Sequence, residues 1–530
     1  MQRRLSEFIT EETAERAGLV ERQGETDTVV SSLEYDSRNV KPGALYFALP
    51  GLSTDGHKYI NDAVERGAVA VVYETETGGE KPGVAYLKVK NSRFAMSPVA
   101  AAFYGFPSRR LIVAGVTGTD GKSTTVYLIW QLLRLLGKKA GFFSTVQQSI
   151  GDDAQWNRDP WTTPEATVVQ RYLWEMAENG CAYAVVESSS HGLSPKTNRL
   201  GDVGYDAAVF TNLGHEHLEF HGTWEQYRDD KVNLFRALNR NHAKTEIAGS
   251  PAIPEPFGVV NADDPNSGYF SGVTEHRTNR FSATGKDSEL AATDIENDAS
   301  GNTYNVSVPC EKSTINIHDS LPGAFNVDNL LAAMLAVTGL TGFSMQEIAP
   351  LCPKLEPVRG RMTAVKKNQP FEVYVDFAHT PSAFLAILPP LRKRVDKTGG
   401  RIISLFGSSG ERDTEKRPKM GKAAAEYSDI IILTEDDPRK ESPLDIINEI
   451  ARGVFEVTET EGKKMLFKQG ENLFIIPDRR EAIRKAVSVA KPGDIVLLLG
   501  KGHQDTMIYG DSVLPYDEIN EAEKVLEELQ

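Results

Sequence analysis

At 530 residues the chain is too long for one hydrophobic core, and roughly two to four domains are expected. Its 59 basic and 74 acidic side chains leave a net charge of −15, which argues against a nucleic-acid coat but leaves room for a local basic pocket. The opening MQRRLSEFIT has no apolar stretch of the signal-peptide kind, no run nears the roughly 18 apolar residues of a membrane helix, and Cys181, Cys310 and Cys352 are too scattered for a disulfide framework or a zinc site, so a cytoplasmic protein engaging neither nucleic acid nor membrane is expected.

Three regions follow in chain order. Residues 1–108 read as a small α/β domain, with strand-like runs at 44–49, 69–73 and 84–89 and a helical stretch at 60–67. Residues 109–350 repeat a pattern of apolar strand, polar loop and helix, as at 111–116, 183–187 and 207–212. That alternation predicts a mostly parallel sheet with helices on both faces and ligands at the carboxyl ends of its strands. The stretch 241–303 is polar and rich in Pro, Gly, Asp and Ser, and reads as an irregular insertion with one further strand at 257–261. Residues 351–530 alternate again, with strand candidates at 372–376, 402–406, 430–433, 474–476 and 495–499 and a closing helix over 516–530. The expected class is α/β in three domains: a small N-terminal domain, a central phosphate-loop domain on a mostly parallel sheet, and a Rossmann-like doubly wound C-terminal domain.

The central domain is called a phosphate-loop domain because of Gly115-Val116-Thr117-Gly118-Thr119-Asp120-Gly121-Lys122-Ser123-Thr124-Thr125, set between an apolar run and an amphipathic one. Glycine amides at a helix start cradle phosphate oxygens, a lysine reaches the outer phosphates, and a serine hydroxyl suits Mg²⁺. The spacing departs from the strict Walker form, which would put glycine where Val116 stands. A purely structural turn would leave Lys122 unexplained, so a nucleoside triphosphate is the expected ligand. Glu187 ends a second apolar strand and His217 follows a third; they could share a divalent cation or pair with each other, and spacing alone does not choose. Lys231 is expected to open a helix over 231–238, where the ordinary reading is a surface lysine. Asn326 and Asn329 share a helix face and could read an adenine edge or cap the helix. Asp36-Ser37-Arg38 reads by itself as a polar turn.

Taken together these motifs resemble those of the Mur ligases, the ATP-dependent amide-forming enzymes of peptidoglycan precursor synthesis. GTDGKST resembles their phosphate loop, Thr162-Thr163-Pro164-Glu165 their TTPE, and Glu187 to Leu193 their E-x-S-S-H-G-L. Glu216 to Gly222, with Tyr227 and Lys231, resembles DHLDYHG…Y…K, and Gly323 to Asn329 resembles G-x-F-N-x-x-N. Arg359-Gly360-Arg361-Met362, then Asp376-Phe377-Ala378-His379-Thr380-Pro381, follow in the family's order. The C-terminal region adds likenesses to GGDRDxxKRP at Ser409 to Pro418, to DNPR at Asp436 to Arg439, and to GKGHED at Gly500 to Asp505. The resemblance covers nearly the whole chain, and its SSHGL and DDPR variants point to the branch that adds the third, diamino residue of the stem peptide.

The resemblance implies an assignment for each group. ATP would be held by Gly118, Thr119, Asp120, Gly121, Lys122, Ser123 and Thr124, with Asn326, Asn329, Arg361 and Asp376 from the later segments. Two Mg²⁺ ions would sit on Ser123 and on Glu187 with His217, and Lys231 would carry a carbamate. Lys122, Glu187, His217, Lys231 and Arg361 would carry the chemistry. The UDP-sugar dipeptide would meet Ser37, Arg38, Thr162, Thr163, Ser190, His191 and Arg199, and the diamino acid Arg412, Asp436, Asp437, Pro438, Arg439, Gly500 and Gln504. The γ-carboxylate of D-Glu in UDP-N-acetylmuramoyl-L-Ala-D-Glu would be phosphorylated and then captured by the diamino acid's amine, in a monomer.

Glu216, Thr363 and Phe377 depart from the family's Asp, Glu and Tyr, and Asp437 and Gln504 replace its Asn and Glu. Asp437, near the distal end of the amino acid, would attract an ammonium and repel a distal carboxylate by about 1–4 kcal/mol, favouring lysine or ornithine over meso-diaminopimelate, while Arg439 pulls the other way. The alternatives are a folylpolyglutamate synthase-like or D-Ala-D-Ala-adding ligase, or a nucleotide-switched binding protein that hydrolyses ATP without an acceptor.

Overall fold

The computed structural model describes the chain except residues 26, 52–53, 76–78, 80, 158–160, 215–217, 241–243, 245–246, 248–251, 299, 310–311, 461–465 and 529–530, and the side chains of 218–219 and 457–460. Two compact units result, one built mainly from residues 1–282 and 331–348, the other from 290–330 and 349–530.

The first unit holds two sheets. The N-terminal sheet runs in the order Leu19–Gly24, Ala85–Val89, Ala70–Tyr73, Ala44–Phe47, Ser32–Glu34 and is parallel except for its first pair. The second sheet centres on Ile112–Thr117, flanked by Tyr183–Glu187 and Ala207–Phe210, with Ala140–Phe143 beyond one and Phe257–Asn261 and Thr278–Ser282 beyond the other; all six strands are parallel. The middle strands are buried from end to end, as a sheet covered on both faces requires. Helices Lys122–Leu135, Ala166–Glu178 and Trp224–Leu238 connect or cover them.

The second unit contains an antiparallel ribbon, Leu290–Asp298, Gly301–Val308 and Ser313–Asp319, and a six-stranded sheet. That sheet runs Thr363–Ala364, Glu372–Asp376, Ile495–Leu499, Ile402–Phe406, Ile430–Leu433, Leu473–Ile475, and all but the first strand are parallel. The last strand of this sheet inserts between its second and fourth, which places the ends at Asp376 and Leu499 side by side. Glu518–Glu528 forms the closing helix.

Two expectations need correction. Residues 241–303 are not an irregular insertion: they contain Thr278–Ser282 and Leu290–Asp298 and the start of Gly301–Val308. These strands are only partly buried and rich in Asn, Asp, Thr and Ser, so no apolar run marked them. Lys231 does not open a helix: the helix begins at Trp224, where the Thr223 hydroxyl accepts from Gln226 N–H, and Lys231 lies buried in its middle.

Among the described residues no single helix is long and apolar enough to cross a membrane. Cys181 and Cys352 are buried free thiols whose ionisation is pushed up by burial to about 11 and about 12, and Cys310 lies outside the described residues. Both described thiols should therefore stay unmodified by iodoacetamide at about pH 8 in the native protein and react after unfolding, as peptide mass spectrometry would read.

Candidate active site

The phosphate loop follows the central strand of the parallel sheet. Gly118 takes φ 151° and Gly121 φ 83°, backbone regions closed to most side chains. A Cβ on Gly118 would also collide with the Thr211 hydroxyl. The loop is tied down by its neighbour strand's end: Thr119 N–H donates to Asn212 O at 2.8 Å and Asp120 N–H to Asn212 Oδ1 at 2.9 Å, while Thr211 Oγ1 donates to Asp120 O at 2.6 Å. The helix then starts at Lys122 with Gly121 as its N-cap and no side-chain cap, so its first amides are left for an anion. Lys122 Nζ donates to Thr119 O at 2.7 Å, and Thr124 is buried behind it.

Glu187, at its strand end, is the hub of the neighbouring polar group. Ser123 Oγ donates to its two oxygens at 2.9 and 3.1 Å, and Thr145 donates both N–H (2.8 Å) and O–H (3.0 Å). The hydrogen bonds continue outward. Thr145 Oγ1 donates to Thr162 Oγ1 at 3.1 Å; Thr163 Oγ1 donates to Glu187 O at 3.0 Å and lies 2.9 Å from Ser189 Oγ. Arg199 donates to Thr163 O at 2.8 Å and to Glu165 at 2.7 Å. Thus Ser123, Glu187, Thr162, Thr163 and Arg199 form one hydrogen-bonded cluster. Ser37 and Arg38 sit elsewhere, in a short 3-10 turn where Arg38 is paired with Asp36 at 2.6 Å, and the turn makes no hydrogen bond to this cluster among the described residues.

Helix Trp224–Leu238 presents Tyr227, Asp230 and Lys231 at helical spacing. Tyr227 OH lies 3.0 Å from Thr119 Oγ1, and Lys231 Nζ donates to Gly118 O at 2.5 Å while sitting 4.5 Å from the Tyr227 ring. Asp230 holds His221 Nδ1 at 2.7 Å, and His221 Nε2 faces Ser190 Oγ at 3.1 Å. His191 stacks near Phe220 at 4.1 Å. His217 and Glu216 lie outside the described residues. The oxygen-rich set around Glu187 suits Mg²⁺, although no group of three His, Cys, Asp or Glu among the described residues could hold a metal.

In the second unit, Asp376, Asp436, Asp437 and Gly500 follow or end parallel strands of the six-stranded sheet. Asp376 accepts from Met362 N–H and Ala378 N–H, each at 2.7 Å, and Arg361 lies over the Phe377 ring at 4.8 Å. Asn329 donates to Asn326 Oδ1 at 2.9 Å at the start of helix Phe325–Thr341. Asp436 and Asp437 are both buried, and Gly500, φ 109°, leaves room for Asp436: a Cβ there would meet its carboxylate at 2.5 Å. Asp437 takes φ 42° and Arg439 φ 54°, bracketing Pro438 in a strained turn. Gln504 N–H donates to Lys501 O at 2.9 Å, and Arg412 is exposed on the preceding loop.

Lys501 changes the reading of this pocket. Fully buried, it sits 2.9 Å from Asp437 and 3.7 Å from Asp436, and Asp437 Oδ1 also accepts from Ile508 N–H at 3.0 Å. Asp437 is therefore not a free carboxylate, which removes the ground for a selection against a distal carboxylate. Arg439, by contrast, has a buried Nε without a hydrogen-bond partner among the described residues. Thr145, Asn212, Asp230 and Lys501 were not singled out by sequence reasoning. Only Lys501 stood inside a quoted motif; Thr145 and Asn212 gain their partners through strands distant in sequence, and Asp230 meets His221 nine positions earlier.

A glycine loop opening onto an uncapped helix start, a strand-end carboxylate bonded to its serine, and polar groups at the carboxyl ends of a second parallel sheet define a phosphate-handling α/β enzyme. Family models match in chain order: the Mur ligase catalytic domain over residues 29–104, the middle domain over 116–337 and the glutamate ligase domain over 360–502. The chain is 48% identical over 522 residues to the UDP-N-acetylmuramyl-tripeptide synthetase of Treponema denticola, covering 95% of each chain. It is 39% identical over 500 residues to the UDP-N-acetylmuramoyl-L-alanyl-D-glutamate–2,6-diaminopimelate ligase of Geobacillus thermodenitrificans, covering 94% and 95%. A solved structure of a ligase of the latter name matches with a TM-score of 0.64 at 26% identity, over 100% of this chain and 99% of that one. The chain belongs to the Mur ligase family.

Proposed function

We propose that this protein joins a diamino acid to the γ-carboxylate of D-Glu in UDP-N-acetylmuramoyl-L-Ala-D-Glu, with ATP as the activating co-substrate, as a monomer in the cytoplasm. The observation that carries this reading is the hydrogen-bonded cluster in which the phosphate-loop Ser123, Thr145 and Thr163 all bond to Glu187 and Thr162 joins through Thr145. Such an arrangement brings a phosphate-holding group and an acid-holding group to one strand end, as transfer of a phosphoryl group to a carboxylate requires.

In this reading Lys122, the loop amides and Arg361 bear on the charge that develops on the transferred phosphoryl group. Ser123 would hold one Mg²⁺ and Glu187 with His217 a second; the metals would supply charge neutralisation at the phosphates. Lys231 Nζ donates to Gly118 O; a carbamate would keep one N–H for that bond and add a carboxylate, and intact mass would reveal the added CO₂. Residues 1–108 would take the UDP-sugar, 109–350 ATP and 351–530 the diamino acid. ADP release should need both the dipeptide nucleotide and a diamino acid; steady release with ATP alone would favour a nucleotide switch instead.

Among the described residues, the unpartnered Arg439 Nε supports a diamino acid with a distal carboxylate, while the equally unpartnered Asp436 Oδ1 suits its ammonium. Lys501 occupies Asp437, whereas Arg439 retains an unpartnered Nε. In a panel of lysine, ornithine and meso-diaminopimelate, kcat/KM should be highest for diaminopimelate, by about tenfold or more for one charge-assisted contact. A preference for lysine or ornithine would reverse this assignment.

A further inference from the structure

Helix Trp224–Leu238 serves two loops at once. Tyr227 and Lys231 bond to Thr119 and Gly118 of the phosphate loop. Asp230 lies between them at helical spacing and bonds instead to His221, which bonds to Ser190. Asp230, His221 and Ser190 are all buried. Ser190 stands three residues beyond Glu187. Its neighbour Ser189 lies 2.9 Å from Thr163 Oγ1, the hydroxyl that donates to Glu187 O. The Asp230–His221–Ser190 series therefore ends on the turn that leaves the Glu187 cluster.

The direction of each bond follows from its partner. Asp230 Oδ2 accepts from His221 Nδ1 at 2.7 Å, so the ring proton sits on Nδ1. Gln226 Nε2 donates to Asp230 Oδ1 at 3.0 Å and fixes the carboxylate from its other side. His221 Nε2 is left as an acceptor, and the Ser190 hydroxyl donates to it at 3.1 Å. The Tyr227 and His191 rings pack edge-on against the imidazole, with centroids at 5.2 and 5.3 Å, and hold its plane. Among the described residues Ser190 Oγ has no other hydrogen-bond partner, so this bond alone ties its side chain to the helix.

Resting on the ligase reading, we propose that Asp230 and His221 are positioning residues. Through Ser190 they hold the turn after Glu187 at a set distance from the phosphate loop, because one rigid helix carries both sets of contacts. Phosphoryl transfer needs donor and acceptor in register, and a displacement of about 1 Å costs on the order of a hundredfold in rate. In this role neither residue touches substrate, and no bond to either forms or breaks.

Kinetics of Ser190→Ala, His221→Ala, the double variant and His221→Gln in the full-length protein test this. Each alanine variant should lower kcat about tenfold to a hundredfold, with the KM for ATP within about threefold of native. His221→Ala in the Ser190→Ala background should cost no more than about twofold further, since both act through one bond. The glutamine variant can donate to Asp230 and accept from Ser190, and should recover kcat to within about threefold of native. Ser190→Ala leaves the Asp230–His221 pair intact, so it keeps the test open should His221→Ala fail to fold. In native protein labelled with ¹⁵N-histidine, the His221 ring should show the tautomer protonated on Nδ1. Native kcat in Ser190→Ala, losses that multiply in the double variant, a glutamine variant as impaired as alanine, or a neutral ring protonated on Nε2 would each overturn the proposal. The native enzyme's need for both co-substrates tests the ligase reading separately.

Discussion

Replacing Lys122 with alanine is expected to lower kcat/KM for amide formation by about 10³-fold or more, with the melting temperature nearly unchanged. The asymmetry follows from how the loop is built. Its shape is set by Gly118 and Gly121 and by hydrogen bonds to Thr211 and Asn212, none of which involves the lysine side chain. Lys122 contributes one half-buried hydrogen bond, to Thr119 O. Its charge is therefore dispensable for folding and matters only when phosphates arrive. A coupled ADP assay and a thermal melt on the same preparation measure both halves; a variant with native turnover would remove the loop from the chemistry.

The second large effect falls on stability. Arg479 and Glu518 are both fully buried and bonded bidentately, at 2.7 to 3.1 Å, and Arg479 also donates to Glu435 O at 3.0 Å and Leu499 O at 2.8 Å. Coulombic attraction to Glu518 and its hydrogen bonds oppose the burial penalty and hold the guanidinium firmly charged. Removing one partner strands the other charge in the core, so Arg479→Met should destabilise the second unit by about 3–5 kcal/mol in urea unfolding. Replacing both, as Arg479→Met with Glu518→Leu, should recover much of that loss, because paired apolar side chains leave no buried charge. The single variant should also perturb diamino-acid binding, since the Glu435 and Leu499 carbonyls precede Asp436 and Gly500. Native stability for the single variant would show that the pair contributes little.

Much of this was legible in the residues. The buried parallel strands announced themselves as short apolar runs, and Ile112–Thr117, Tyr183–Glu187 and Ile495–Leu499 are found within a residue of where they were expected. The partly solvated ribbon of residues 290–319 was not, because frequent Asn, Asp, Ser and Gly break its apolar residues into no continuous run. The phosphate loop could be assigned because its chemistry is local: glycines, lysine and serine lie within a few residues. Glu187 was visible as a strand-end acid, but its partner Thr145 comes from another strand's end. The partner of Asp437 was hidden for the same reason, since Lys501 lies 64 positions away. Burial of Lys231 likewise depends on which helix face meets the phosphate loop, which its own sequence does not declare.

The central claim is that phosphate passes from ATP to a substrate carboxylate before the amide forms. Carrying ¹⁸O in the D-Glu γ-carboxylate of the dipeptide nucleotide tests it most directly. During turnover the released phosphate should acquire one labelled oxygen per amide formed, because the acyl C–O bond breaks when the amine attacks. Amide product accompanied by unlabelled phosphate would contradict the account.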